Sequence, residues 1–288
     1  MDVRNDKKII ITTTFRDFQG NVNDKMQMEF LKSLKRQTYQ NYILVVTIFK
    51  ETEVEKTVKG LLDKKTVFYH TILDEKYRYS LSKVLLNGIH YGKEYGADIL
   101  VDCSGDIVLQ KNFLETVVRY YSKSYAGISH PNIFCEVNDS FDILTKRVGR
   151  RNRGIDIRFF DFSLISAPTT CKMLYRYVFY DWGCFEHFLA AIAMKYSKQM
   201  INVFDDSKVI KFENDREASN ESKRYLKKSH RRNSQVLIDA ARRMSIDRDK
   251  IFDLYYIHSK YRKPSYYSSR IYTFQKNITE IAKRFING

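Results

Sequence analysis

Between residues 8 and 102, short apolar runs of strand length alternate with longer stretches of helical period, and few folds accept that order. Lys8 to Thr14 carries Ile9, Ile10, Ile11, Thr12 and Thr13, a β-branched run that suits a strand covered on both faces. Asp24 to Thr38 repeats Met28, Leu31 and Leu34 at helical spacing, with Asp24 placed to cap. Tyr42 to Phe49 is a second apolar run, Glu51 to Asp63 a helix and Val67 to Leu73 a third strand. Ser80 to Tyr95 places Leu81, Val84, Leu85 and Ile89 on one helical face, and Ala97 to Asp102 is a fourth strand. Strand and helix in this rhythm predict an α/β fold with a mostly parallel sheet flanked by helices. Ligands of such sheets sit beyond the carboxyl ends of the strands. Those ends are Thr13–Asp17, Thr47–Glu51 and Asp102–Asp106.

Further along, Asn112 to Tyr121 reads as a helix, Tyr125 to Phe134 contains a strand, and Phe159 to Ile165 is another. Asn138 to Gly154 is polar and basic and reads as a mobile loop or lid. Glu186 to Tyr196 is a strongly apolar helix and Met200 to Phe204 a strand. The alternation stops near Asp215, which divides the chain into residues 1–215 and a basic, tyrosine-rich helical region, 216–288. The second region holds 18 Lys and Arg against 7 Asp and Glu, so most of the formal net charge of +16 belongs there.

Four widely spaced cysteines, without a CxxC pair, read as free thiols of a reducing compartment. The N-terminus lacks the apolar core of a secretion signal, and no window approaches the ~20 apolar residues of a membrane span. The expected location is cytoplasmic, or peripheral at the inner face of the membrane.

Chemistry concentrates at Asp102-Cys103-Ser104-Gly105-Asp106, directly after the fourth strand. Two carboxylates on such a turn can converge on one hard cation that also meets phosphate oxygens, or they can accept backbone hydrogen bonds within the turn. A bound ion would neutralise charge on a diphosphate leaving group.

Ser33-Leu34-Lys35-Arg36-Gln37-Thr38-Tyr39-Gln40-Asn41-Tyr42-Ile43-Leu44-Val45-Val46 resembles the "SLxxQTYxNxEIIVV" stretch of glycosyltransferase family 2. It follows Ile10-Ile11-Thr12-Thr13-Thr14-Phe15-Arg16, similar to that family's opening strand and "PTYNR" turn. Leu86-Asn87-Gly88-Ile89 resembles its "ARNxGI" helix, and Asp102 with Asp106-Ile107-Val108-Leu109 its "DxDD" turn. The resemblance covers residues 8–115 and implies a GT-A type (Rossmann-like) fold and transfer of sugar from a nucleotide-sugar donor, a UDP-sugar by expectation. It implies that Thr13, Thr14, Phe15, Arg16, Asn87 and Asp102 line the donor site. It further implies that Asp102 and Asp106 hold Mn²⁺ or Mg²⁺. Two departures stand out: the acidic residues usual after the second strand are replaced by Thr47-Ile48-Phe49-Lys50, and three residues rather than one separate the two aspartates.

Tyr180-Asp181-Trp182-Gly183-Cys184-Phe185-Glu186-His187 is similar to the "WGxED" segment of GT-A enzymes. It implies an inverting transferase in which Glu186, with Asp181 as the alternative, deprotonates the acceptor hydroxyl. Partial desolvation among aromatics raises a carboxylate toward a useful base pKa. The other reading of Glu186 is a helix cap. In the C-terminal region Arg224, Lys227, Lys228, Arg231 and Arg232 form a basic helix face. Beyond it, Tyr255, Tyr256, Tyr261, Tyr266, Tyr267 and Tyr272 interleave with Lys260, Arg262, Lys263 and Arg270. That mixture suits an anionic membrane surface or nucleic acid. The acceptor expected from these features is a glycan or lipid-linked sugar of surface polysaccharide synthesis. One alternative is a phage or viral enzyme acting on hydroxylated bases in DNA. The other is an inactive nucleic-acid-binding protein on the same fold.

Overall fold

The computed structural model describes residues 6–15, 22–49, 53–72, 77, 79–121, 125–129, 133–148, 157–180, 185–197, 199–202, 208–213 and 220–246. The strands are β1 (Ile9–Thr14), β2 (Tyr42–Ile48), β3 (Thr66–His70), β4 (Ile99–Cys103), β5 (Ile107–Leu109), β6 (Tyr125–Ser129), β7 (Ile133–Val137), β8 (Ile143–Val148), β9 (Ile157–Asp161), β10 (Gln199–Asn202) and β11 (Val209–Glu213). The helices are α1 (Val22–Lys35), α2 (Val54–Leu62), α3 (Leu81–Tyr95), α4 (Phe113–Arg119), α5 (Phe162–Ile165), α6 (Pro168–Arg176), α7 (Phe185–Tyr196) and α8 (Asn220–Met244).

Seven strands form the main sheet in the order β10-β6-β9-β4-β1-β2-β3, all parallel except β9. This is a mostly parallel, helix-flanked α/β sheet. A second sheet, β5-β11-β7-β8, takes up the chain that leaves β4.

Strand alternation decides which helix each side chain meets. Ile9, Ile11, Ile99, Val101 and Phe159 share a core with α1, α2 and α4 through Phe30, Leu34, Val58 and Leu114. Leu100 and Phe160, one residue out of phase, join the opposite core with α3, α6, α7 and α8 through Leu85, Leu174, Phe188 and Leu237. Burial on both faces is why β1, β2 and β4 read as continuous apolar runs.

Helix α3 is capped by Ser80, whose side chain accepts from the Lys83 amide, and ends at Gly96 in the left-handed region, φ 70°. It lies close to β1 because Gly88 and Gly92 face the sheet. A Cβ on Gly88 would stand 2.8 Å from the Thr12 Cβ, and one on Gly92 2.4 Å from the Phe162 ring. That approach lets the Thr12 hydroxyl donate to the Val84 carbonyl at 2.8 Å.

Two expectations change. The polar stretch 138–154 contains β8, the outer strand of a hairpin with β7, so it is not one continuous loop. The Asn138 side chain bridges the hairpin turn, donating to Asp142 at 2.9 Å and accepting from its amide at 2.8 Å. The run from Phe159 to Ile165 splits, because Asp161 accepts from the Ser163 amide and starts α5. The compact unit runs through Ile251, and α8 packs into the second core. The tyrosines from Tyr255 onward lie outside the described residues. Among the described residues no helix is long and apolar enough to cross a membrane.

Gly88→Ala is expected to lower stability by ~1–3 kcal/mol through overpacking against Thr12. Gly60→Ala on α2, where a Cβ meets nothing within 4 Å, should be neutral or stabilise by up to about 1 kcal/mol. Chemical denaturation of the two variants checks the pair.

Candidate functional site

The carboxyl ends of β1, β2 and β4 lie at one edge of the main sheet, with Thr14 opposite Thr47 and Thr12 opposite Asp102. Hydroxyls lace this edge together. Thr13 donates to the Cys103 carbonyl and Thr14 to the Thr47 carbonyl, both at 2.8 Å. Asn87, the residue before the close-packed Gly88, donates to the Thr47 hydroxyl at 3.0 Å and to the Thr71 hydroxyl at 3.4 Å. Thr13, Thr14 and Asn87 thus lie at one strand-end edge. Phe15 is there too, its ring 5.9 Å from that of Phe30. It packs so tightly on the acidic turn that a Cβ on Gly105 would stand 2.9 Å from it. Arg16 lies outside the described residues.

The two aspartates of the turn are each engaged by a cation of the chain. Asp102 is buried in β4, directly opposite Arg158 of β9, and their side chains pair at 2.8 Å with both about 5% exposed. Removing one partner of such a pair strands a charge in the interior and costs about 3–5 kcal/mol. Asp106 pairs at 2.8 Å with Lys211 of β11, which the second sheet sets opposite Ile107. Between the aspartates, Cys103 is buried, and burial, reinforced by the Asp102 charge, pushes its thiol well above the ordinary range. Among the described residues no group of three His, Cys, Asp or Glu side chains is placed to hold a metal ion between them. A divalent ion at Asp102 or Asp106 would have to displace the protein cation that each one holds.

Arg158 also reaches toward α7, its guanidinium carbon 6.0 Å from the centroid of the Phe185 ring. Phe185 opens α7 and Glu186 follows it, so the helix start carrying Glu186 stands on the same side as the acidic turn. The Glu186 side chain and Asp181 lie outside the described residues.

The segment that leads to Asp181 is held from two directions. Ser80 and Tyr180 form a β-bridge, and the Phe179 amide donates to the Ser82 hydroxyl at 2.9 Å. From α8, Asn233 accepts from the Tyr180 amide at 3.3 Å and donates to its carbonyl at 2.7 Å. Arg232 donates to the Val178 carbonyl at 2.7 Å and lies 4.4 Å over the Tyr180 ring, which stacks on Tyr77 at 4.0 Å. Arg232, counted with the basic helix face from sequence, is half-buried and engaged within the fold.

Sequence reading passed over Arg158, Lys211 and Asn233. The signal for the first two was present: single cations inside apolar strands, Ile157-Arg158-Phe159 and Ile210-Lys211-Phe212, require an acidic partner once buried. No comparable pattern marks Asn233.

No family model matches the chain, and no curated protein matches it. Among solved structures, residues 1–349 of S. aureus TarS superpose with a TM-score of 0.49 and 11% identity. The match covers 71% of this chain and 60% of that one. The same portion in complex with UDP-GlcNAc gives 0.47 and 11%, over 75% and 60%. A 4-diphosphocytidyl-2C-methyl-D-erythritol synthase from Anaerococcus prevotii gives 0.41 and 13%, over 68% of this chain and 89% of that one. This chain spans less than two thirds of the TarS portion it matches.

Asn233→Ala removes both bonds to Tyr180 and should lower stability by about 1–3 kcal/mol. Amide exchange at residues 177–180 should quicken while that of β1 is unchanged. Unchanged exchange at Tyr180 would mean that α8 does not hold this segment.

Proposed function

We propose that the chain transfers a sugar from a nucleotide-sugar donor, taken as a UDP-sugar, to a hydroxyl acceptor. The observation that carries this reading is the convergence of Thr13, Thr14 and Asn87 on one strand-end edge beside the acidic turn. In a mostly parallel sheet that edge is where nucleotides bind. The nucleotide would lie across the ends of β1 and β2, and the sugar beyond Ser104–Asp106, toward α7. Glu186, with Asp181 as the alternative, removes the acceptor proton, and the acceptor oxygen displaces the nucleoside diphosphate in line, with inversion at the anomeric carbon. Excluding water and holding both reactants in line is the task of the surrounding segments. The acceptor proposed is a glycan or lipid-linked sugar.

The net charge of +16, concentrated in residues 216–288, favours one second reading, a hydroxylated base in DNA as acceptor. Retention on DNA that falls steeply with salt, without retention on anionic vesicles, would select it. The reverse pattern would select a membrane-associated acceptor.

Two measurements test the main reading. Thermal melting with UDP, GDP, CDP and CMP should show stabilisation by one of them, as binding to the folded state alone requires. With UDP-GlcNAc or another sugar of the selected nucleotide and an acceptor, Glu186→Gln should lower turnover by about 10²–10⁴-fold and leave nucleotide binding intact. A well-folded chain that responds to none of the four nucleotides would overturn the reading.

A further inference from the structure

Both carboxylates of the acidic turn are matched by protein cations, and the two pairs differ in what an incoming anion could do to them. Arg158 and Asp102 are enclosed within the main sheet, so neither can leave its partner without being stranded. A divalent ion arriving at Asp102 would have to displace that guanidinium. Lys211 and Asp106 stand at the rim instead: the Asp106 side chain is 36% exposed and that of Lys211 15%. There a polyanion competes with Asp106 for the ammonium, and a lysine is a point charge suited to phosphate oxygens. Nothing between the aspartates adds an outward-facing acidic ligand, since Cys103 is buried and Gly105 has no side chain.

We propose that Lys211 meets the diphosphate of the donor in this chain, in the place where a divalent cation would otherwise be recruited. The inference rests on the donor reading above. Asp106 holds the ammonium at the turn in the empty site and yields it when the diphosphate arrives. The charge that develops on the departing nucleoside diphosphate is then met by a cation already in position.

The two accounts of Asp106 predict opposite signs. If Asp106 is a metal ligand, Asp106→Asn abolishes metal-dependent binding. If it competes with the diphosphate for Lys211, Asp106→Asn binds as tightly as wild type or tighter. The experiment is calorimetric titration of UDP, or whichever nucleoside diphosphate stabilises the fold, into the full chain with EDTA and again with Mn²⁺. Wild-type affinity should agree within about threefold between the two conditions. Lys211→Gln should weaken it by roughly tenfold or more in EDTA, and Lys211→Arg should restore most of it. Binding that needs Mn²⁺, or is lost in Asp106→Asn, overturns the inference and leaves the donor reading standing. So does unchanged affinity in a natively melting Lys211→Gln. If Lys211→Gln does not fold, the wild-type and Asp106→Asn titrations decide. Absence of nucleotide binding in both conditions removes the donor reading, and the inference with it.

Discussion

The ion pair between Asp102 and Arg158 is the constraint around which the site is arranged. It joins β4 to β9, which runs antiparallel to it, at the residue where β4 reaches the strand-end edge. A carboxylate and a guanidinium removed together from water gain little net stability over an apolar pair of the same volume. Their value lies in what they forbid. A slip of β9 by one residue would leave two uncompensated charges inside the sheet, so the pair pins the register that brings Arg158 beneath the start of α7.

Close approach of backbone does the complementary work. Gly88 and Gly92 let α3 settle on β1, and the same contact aims Asn87 across the ends of β2 and β3. Gly105 lets the acidic turn fold over Phe15. The edge is therefore made of short side chains and hydroxyls tied to neighbouring carbonyls, with the large aromatic packed into the structure. On the far side, α8 reaches back through Arg232 and Asn233 to brace the segment that runs into Asp181.

The first half of the fold was legible because its signals are local. Burial on both faces makes β1, β2 and β4 continuous apolar runs, and α3 carries both its Ser80 cap and its apolar face in sequence. Short elements were not legible: β5 has three residues, too few to show a period, and α6 begins at Pro168 without an apolar run. β8 was hidden by exposure, since an outer strand that buries little has no alternation to read. At the site, Thr13, Thr14, Asn87 and the two aspartates were found by motif, whereas their partners Arg158 and Lys211 lie about 55 and 105 residues away from Asp102 and Asp106 in sequence, on strands that only the topology brings near. The contacts of Arg232 were not legible for a related reason, because a basic helix face looks alike whether it meets solvent or a tyrosine.

The enclosure of Asp102 by Arg158 is tested most directly by a double-mutant cycle with Asp102→Asn and Arg158→Met, followed by chemical denaturation. Each single change should destabilise by about 3–5 kcal/mol, and the double should cost less than their sum by about 2 kcal/mol or more. Losses that add within about 0.5 kcal/mol would contradict the account, because the two charges would then not depend on one another in the folded chain.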